Sequence, residues 1–292
     1  MVSDPTPQQQ LLSRAAASLL DPDGRALAAA VQWWELPPLE AGPWPVAVVG
    51  EGAPVLALHG FDSSHLEYRR LAPLLSSSHQ LFIPDLFGFG FAPRPLAARY
   101  GPDAVLEHLE LVLAEVQRRS GAQRVSLIGA SMGGSVAVEL ARRCPDAIDR
   151  LLLLAPAGLT GRPMPVPALL DQLGARFLGL PAIRQGLCRS AFAQPDRDVG
   201  PAELEIASLH LACPNWAGAL AAFARSGGFA GSGVPLPEQP IQVIWGRNDR
   251  ILRPPQKKAA QALLGERITE LDDCGHLPHI DQPTTVARLW HG

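Results

Sequence analysis

An α/β fold, with a mostly parallel sheet, helices on both faces and a helical cap insertion, is what this 292-residue sequence predicts. Three observations carry that prediction. Short apolar runs alternate with helical patterns between Pro54 and Ala155. The alternation lapses at about Gly158 into roughly eighty residues rich in Pro, Leu, Ala and Gly, with helical stretches and no clear strand. It then resumes at Ile241 and continues to the end of the chain. Strands that alternate with helices build parallel sheets, because each crossover helix returns the chain to the edge from which the next strand must start.

The elements follow in order. Residues 9–20 read as a helix, and Val31 to Gly52 as short extended pieces forming hairpin strands. Pro54–Leu58 is a strand, His65–Leu75 a helix, Gln80–Pro84 a strand and Asp103–Arg119 a helix. Arg124–Gly129 is a strand, Ser131–Arg143 a helix and Asp149–Ala155 a strand. After the break come the strand Ile241–Trp245, a helix near Gln256–Leu264, the strand Arg267–Leu271 and the helix Thr284–Trp290. The domains expected are a core in two parts, 1–158 and 240–292, and a cap at 159–239.

Composition narrows the function. The chain is 47% hydrophobic, enough for a full core. Its 25 basic and 28 acidic residues are well mixed, which argues against a nucleic-acid partner. Cys144, Cys188, Cys213 and Cys274 lie far apart with no C-x-x-C, so neither a zinc site nor a disulfide framework is expected. The N-terminal stretch lacks the basic and apolar regions of a secretion signal. The longest apolar runs fall short of the eighteen or so residues a membrane span needs.

The chemistry is concentrated at loops that follow strands. Gly129-Ala-Ser-Met-Gly133 places a serine between a strand and a helix, in the G-x-S-x-G pattern of a nucleophile elbow. The glycines leave room where strand and helix would otherwise collide. Alone the pattern is weak, since an ordinary turn can carry it. Its partners should follow in the order acid, then histidine, each just after a later strand. Asp249 follows the strand Ile241–Trp245, and His276 follows Arg267–Leu271. Asp85 also ends a strand, but its Leu-Phe-Gly-Phe-Gly sequel reads as a structural loop. His279 is the rival base. His65, His79, His108 and His291 read as solvated, and His210 as lining a pocket or facing water.

The roles follow from acyl-transfer chemistry. His276 takes the proton of Ser131 as it attacks an ester carbonyl, and Asp249 holds the ring tautomer. The oxyanion needs two donors. The backbone N–H of Met132 supplies one, and that of Phe61, after His59-Gly60, the other. His59 is expected to hold that loop by hydrogen bonding.

These residues match an α/β-hydrolase from about Trp44 onwards. His59-Gly-Phe-Asp-Ser-Ser-His-Leu-Glu-Tyr-Arg69, Cys274-Gly-His-Leu-Pro-His-Ile-Asp-Gln-Pro283 and Ser226-Gly-Gly-Phe229 together resemble chlorophyll dephytylase, a family related to pheophytinase. The resemblance implies hydrolysis of the phytyl ester of chlorophyll or pheophytin, and it implies the same Ser131, Asp249, His276, Phe61 and Met132. It implies no cofactor, since the magnesium of chlorophyll belongs to the substrate. Met132 stands where many relatives have Leu. The insertion matches least, outside His210–Trp216 and the Ser-Gly-Gly segment. About forty residues precede the core and do not read as a plastid transit peptide, which suits a cyanobacterial or similar source.

A phytyl chain of about twenty carbons, at about 0.8 kcal/mol per buried CH₂, calls for a greasy site. Phe177, Leu178, His210, Trp216 and Phe223 are the candidate pocket residues in the cap. Leu169, Leu170, Leu173, Phe177, Leu178 and Leu180 fall mostly on one helical face, which can either pack the cap or line the site. Residues 159–200 carry five arginines against three acids, so the cap could also rest on an anionic membrane surface. The expected location is cytoplasmic, with peripheral contact at a thylakoid membrane. Other apolar esters, carbon–carbon bond hydrolysis and non-catalytic pigment or lipid binding are the rival readings.

Overall fold

The computed structural model describes residues 4–291 apart from Pro38 and Glu40. The outermost residues of the two core segments, and two positions within 31–52, therefore lie outside the described residues. Eight strands form one sheet: β1 (Val31–Trp34), β2 (Trp44–Val49), β3 (Ala53–Leu58), β4 (His79–Pro84), β5 (Val125–Ala130), β6 (Ile148–Leu154), β7 (Ile241–Gly246) and β8 (Ile268–Leu271). Their spatial order is β1-β2-β4-β3-β5-β6-β7-β8. The pair β1 and β2 is an antiparallel hairpin, and β2 also runs antiparallel to β4. Every other neighbouring pair is parallel.

Central strands bury both faces, as their sequences require. Residues 55–58, 127–130 and 151–154 are completely or almost completely buried, and their alternate side chains enter two separate apolar clusters. One cluster lies under helix Pro102–Ser120, whose apolar positions Val105, Leu109, Val112 and Val116 recur at helical spacing. That helix ends on Gly121 in the left-handed conformation, which stops it and satisfies its last turn.

One predicted helix is broken. His65–Leu75 forms a short 3₁₀ turn, His65–Tyr68, and a single α turn, Ala72–Leu75. Pro73 is the physical reason, since its ring excludes the carbonyl of Arg69 and it offers no N–H for a continuing helix. Arg69 is instead drawn inward, where its Nε donates to Asp21 at 2.6 Å.

Two histidines expected in solvent are buried. His65 bonds Asp85, and His108 packs its ring 4.5 Å from that of Trp44, with neither ring nitrogen partnered. His79 is half-buried against Trp290, and His291 is exposed. Burial pushes the His108 imidazole down to about 3. The folded protein cannot take the proton that the unfolded chain takes below about pH 6.5, so stability falls as the pH drops from there, by at most about 1.4 kcal/mol per unit for one such group. His59, also buried, adds to the same trend.

Between β6 and β7 the chain forms the cap, which is helical among the described residues. Its helices are Leu170–Leu178, Pro181–Ala191, Pro195–Asp198, Pro201–Leu209 and Trp216–Ser226. It joins the core through Ala219, Leu220, Ala221 and Phe223, and through a buried charge cluster in which Glu203 meets Arg69 and Arg70.

His108→Leu is expected to be at least as stable as the wild type near pH 7.5 and to lose less stability between about pH 6.5 and 5. Urea unfolding at the two ends of that range checks this. An unchanged pH slope would trace the acid sensitivity to another group.

Candidate active site

Ser131 sits at the tip of the turn from β5 into helix Met132–Arg143, with φ +51°. Such a conformation costs on the order of 1–3 kcal/mol and persists only where the surroundings impose it. Here they do. The Ser131 N–H donates to Leu154 O and its carbonyl accepts from Ala157, both at 2.9 Å. A Cβ at Gly129 would lie 2.3 Å from the Gly133 carbonyl oxygen, and a Cβ at Gly133 would lie 2.1 Å from that of Leu58. Only glycines allow the helix to start so close to the sheet.

The structure brings together the three side chains singled out from the sequence. Ser131 Oγ is 2.8 Å from His276 Nε2, and His276 Nδ1 is 3.0 Å from Asp249 Oδ2. Asp249 also accepts from the Trp245 indole at 2.9 Å and from the Ile251 N–H at 2.8 Å. Burial raises its pKa, but the His276 bond and charge, with these donors, outweigh burial and bring it down to about 2. A carboxylate ionised at neutral pH fixes the proton on Nδ1 and leaves Nε2 free to accept the Ser131 hydroxyl. The His276 backbone is itself held by the cap, where its N–H donates to Ala191 O at 2.7 Å.

The loop after β3 lies alongside Ser131. A Cβ at Gly60 would lie 3.3 Å from Ser131 Cβ. His59 controls this loop through its tautomer. The Leu86 N–H donates to Nε2 at 3.0 Å, so Nδ1 carries the proton and donates to Gly60 O at 2.8 Å. Gly60 C=O and Phe61 N–H belong to one planar trans peptide, so fixing the carbonyl aims the N–H the opposite way. Neither the Phe61 nor the Met132 N–H has a hydrogen-bond partner among the described residues. Glu67 accepts from the Gly60 N–H at 3.2 Å and from His279 at 3.1 Å, which commits His279 to the carboxylate and not to Ser131. Asp85 accepts from the His65 backbone and ring and from Phe91, and so holds loops.

The sequence profile of the Alpha/beta hydrolase family matches residues 55–289. This chain is an α/β-hydrolase. It is 28% identical to the alpha/beta hydrolase domain-containing protein VTE7 of Arabidopsis thaliana, over 95% of this chain and 88% of that one. It is also 28% identical to 2-hydroxymuconate semialdehyde hydrolase of Pseudomonas sp. strain CF600, over 82% of this chain and 86% of that one. A crystal structure of a putative lipase from Acinetobacter baumannii superposes with a TM-score of 0.71 at 19% identity, over 99% of this chain and 96% of that one.

Two cavities flank Phe61 in this hydrolase. One, of about 330 Å³, has Ser131 and His276 in its wall, with Leu178, Leu187, Ile251 and Leu277. The other, of about 670 Å³, is lined by Met132, Met164, Val166, Phe223 and Phe229. Phe61 belongs to both, and its ring packs on Phe89 and Phe223 at 5.7 and 6.1 Å.

Of the five cap residues expected to bind substrate, Leu178 and Phe223 line these cavities. Phe177 does not. It is 54% exposed on the outer face of its helix, because Asp171, Ala175 and Leu178 occupy the inner face. His210 and Trp216 do not line either cavity. Both donate to Asp62, at 3.1 and 2.8 Å, and are spent in holding the cap. Asp62, Arg184, Glu67 and Trp245 are site residues that the sequence reading passed over. Asp62 and Glu67 lie inside the His59–Arg69 segment, so that segment carried a signal for both, whereas Arg184 gave none.

Gly133→Ala is expected to destabilise the fold by about 3 kcal/mol or more, since its methyl meets backbone that cannot move aside. Thermal unfolding and soluble yield check this.

Proposed function

We propose that this α/β-hydrolase is a serine esterase that cleaves the phytyl ester of chlorophyll-type pigments through an acyl-enzyme. One observation supports the ester chemistry: the bonded chain Ser131–His276–Asp249 opens onto an apolar cavity. Ser131 Oγ attacks the carbonyl carbon while its proton passes to His276 Nε2. The tetrahedral oxyanion is received by the unused N–H groups of Phe61 and Met132. Collapse expels the alcohol with the proton from Nε2. Water then repeats the sequence, freeing the acid and restoring Ser131.

The substrate class rests on where the dephytylase-like segments fall. His59–Arg69 forms the loop beside Ser131, Cys274–Pro283 carries the base, and Gly227 to Phe229 line the larger cavity. The apolar walls suit a long hydrocarbon on one side of the ester and a large flat ring on the other. No cofactor enters this chemistry. Carbon–carbon hydrolysis, of the kind the name 2-hydroxymuconate semialdehyde hydrolase suggests, would involve a carboxylate and call for a free cation. Arg184 is the cation in the Ser131 cavity, and its guanidinium is taken by Asp62 and the Ala207 carbonyl; Arg162, unpaired among the described residues, lines the larger cavity, whose wall holds neither Ser131 nor His276.

We also propose that the cap meets a lipid surface. Leu169, Leu170, Leu173, Phe177 and Leu180 stand exposed on one side of the cap, and Arg176 of helix Leu170–Leu178 is exposed and unpaired among the described residues. Such a face suits an anionic thylakoid-type membrane from which an apolar ester would be drawn. Among the described residues no single helix is long and apolar enough to cross one.

Purified protein with chlorophyll a in mild detergent is expected to release chlorophyllide, seen by chromatography, and Ser131→Ala is expected to release none. Asp249→Asn should lower kcat by about 10³- to 10⁴-fold, as the wrong imidazole tautomer then faces Ser131. Cleavage of p-nitrophenyl esters without chlorophyllide would retain the esterase and overturn the pigment substrate. Failure of a fluorophosphonate to label Ser131 would point to a binding protein. Sedimentation with anionic liposomes should fall at least about tenfold for Leu173→Asp/Phe177→Asp, and equal binding would remove the membrane role.

A further inference from the structure

We propose that Asp62 is a positioning residue that locks the cap to the loop carrying the Phe61 N–H, so that this donor, aimed from one side by His59 and Glu67 of the core, is held from its other side only while the cap is seated. The proposal rests on the esterase reading of Ser131 and adds a residue to it.

Asp62 follows Phe61 directly, is buried, and holds φ +50°. Among the described residues, every partner of its carboxylate comes from the cap. Arg184 Nη1 donates to Oδ2 at 2.5 Å, while Trp216 Nε1 and His210 Nε2 meet Oδ1 at 2.8 and 3.1 Å. The three donors come from separate pieces of the insertion: helix Pro181–Ala191, the turn His210–Ala212 and the start of helix Trp216–Ser226. The neighbouring buried acids differ. Glu67 and Asp85 find their hydrogen-bond partners within the core, and Glu67, through the Gly60 N–H, holds the near side of the same loop without the cap.

A buried carboxylate stripped of its donors is costly, far more than one that swings out to water. If the cap lifts, Asp62 must follow it or be rehydrated, and either movement turns the Phe61–Asp62 segment. The donors are held in place as well, since Arg184 also donates to the Ala207 carbonyl, while His210 Nδ1 and Arg184 Nε are buried without a hydrogen-bond partner. Burial works against the Asp62 anion, yet the His210 bond and charge, Arg184 and Trp216 outweigh it and hold its carboxyl below the usual range. The helix that supplies Arg184 ends at Ala191, whose carbonyl accepts the His276 N–H. One cap helix thus bears on the oxyanion loop at one end and on the base at the other.

The test uses three variants and two readouts. Asp62→Gly keeps the left-handed backbone while deleting the carboxylate, and Asp62→Asn also tolerates that backbone and keeps an acceptor for Trp216 and His210. Trp216→Phe removes one donor only. With p-nitrophenyl butyrate, Asp62→Gly is expected to lower kcat per titrated active site about 10- to 100-fold, with KM changed less than about threefold. Asp62→Asn should recover most of that loss. The double variant Asp62→Gly/Trp216→Phe should be no slower than Asp62→Gly alone, because the partner is already gone. Amide hydrogen exchange should quicken in Asp62→Gly both at residues 59–64 and at 207–217.

Faster exchange with kcat within twofold of wild type would reduce Asp62 to a structural staple and overturn the proposal. So would a loss of activity that only follows a fall in the titrated active fraction. If the wild type turned over no ester, the esterase reading would fall with the catalytic half of this proposal. The tie itself would still be judged by exchange, and unchanged exchange in Asp62→Gly would overturn it too.

Discussion

The contact on which the site depends is a backbone approach. Helix Met132–Arg143 begins so near β3 that residue 133 has room for a hydrogen but not for a methyl group beside Leu58 O. β3 and β5 are parallel neighbours in the middle of the sheet. Drawing the helix down between their ends forces Ser131 out at φ +51° and sets it against Gly60. Strain at one residue is balanced by the packing of a whole helix and three largely buried strands. Close-packed interiors transmit such constraints because they deform little.

Beneath that contact lies a buried layer of histidines and acids. His59, His65, Glu67, Asp85 and His279 are all shielded from water, and each bonds to another of them or to a loop backbone. Isolated, these groups would cost several kcal/mol each. Paired, they hold their loops; the Leu86 N–H fixes the tautomer of His59, and His59 with Glu67 fixes the direction of the peptide that ends in the Phe61 N–H. Burial opposes the Glu67 and Asp85 anions, and their histidine partners outweigh it and hold both below the ordinary carboxylate range. The charge layer acts as scaffolding for two unbonded N–H groups, and preorganised donors of that kind are what acyl transfer requires.

The cap answers a different demand. Its helix Leu170–Leu178 is two-faced, with Asp171, Ala175 and Leu178 turned inward and Leu170, Leu173 and Phe177 outward. An apolar stripe on a surface helix ordinarily marks the buried side. Here the inward side contains an acid, which pairs with Arg225, and the greasier side is left outside. That inversion leaves the apolar stripe in water, the face proposed to meet a lipid surface, and of this helix only Leu178 reaches the wall of a cavity described above.

Strand order in the chain, the elbow and the succession Ser131, Asp249, His276 could be read from the sequence because each rests on local rules. Alternating apolar runs define strands, glycines mark the tight turn, and a polar residue just past a strand end must sit at the edge of the sheet. The break at Pro73 also follows from a local rule that the expected His65–Leu75 helix passed over, but the inward turn of His65 and His108 and the exposure of Phe177 could not be read in that way. Each depends on which neighbour the fold supplies: Asp85 for His65, Trp44 for His108, and Arg225 to admit Asp171 to the inner face. Asp62 shows the same division. Its place after Phe61 is visible in the chain, but its three partners are 122, 148 and 154 residues away. By itself the sequence determined the sheet and the reactive trio, which follow from short-range pattern. Only the tertiary structure decided how the cap is fastened and which of its faces meets water, because burial and pairing across such separations are set by packing.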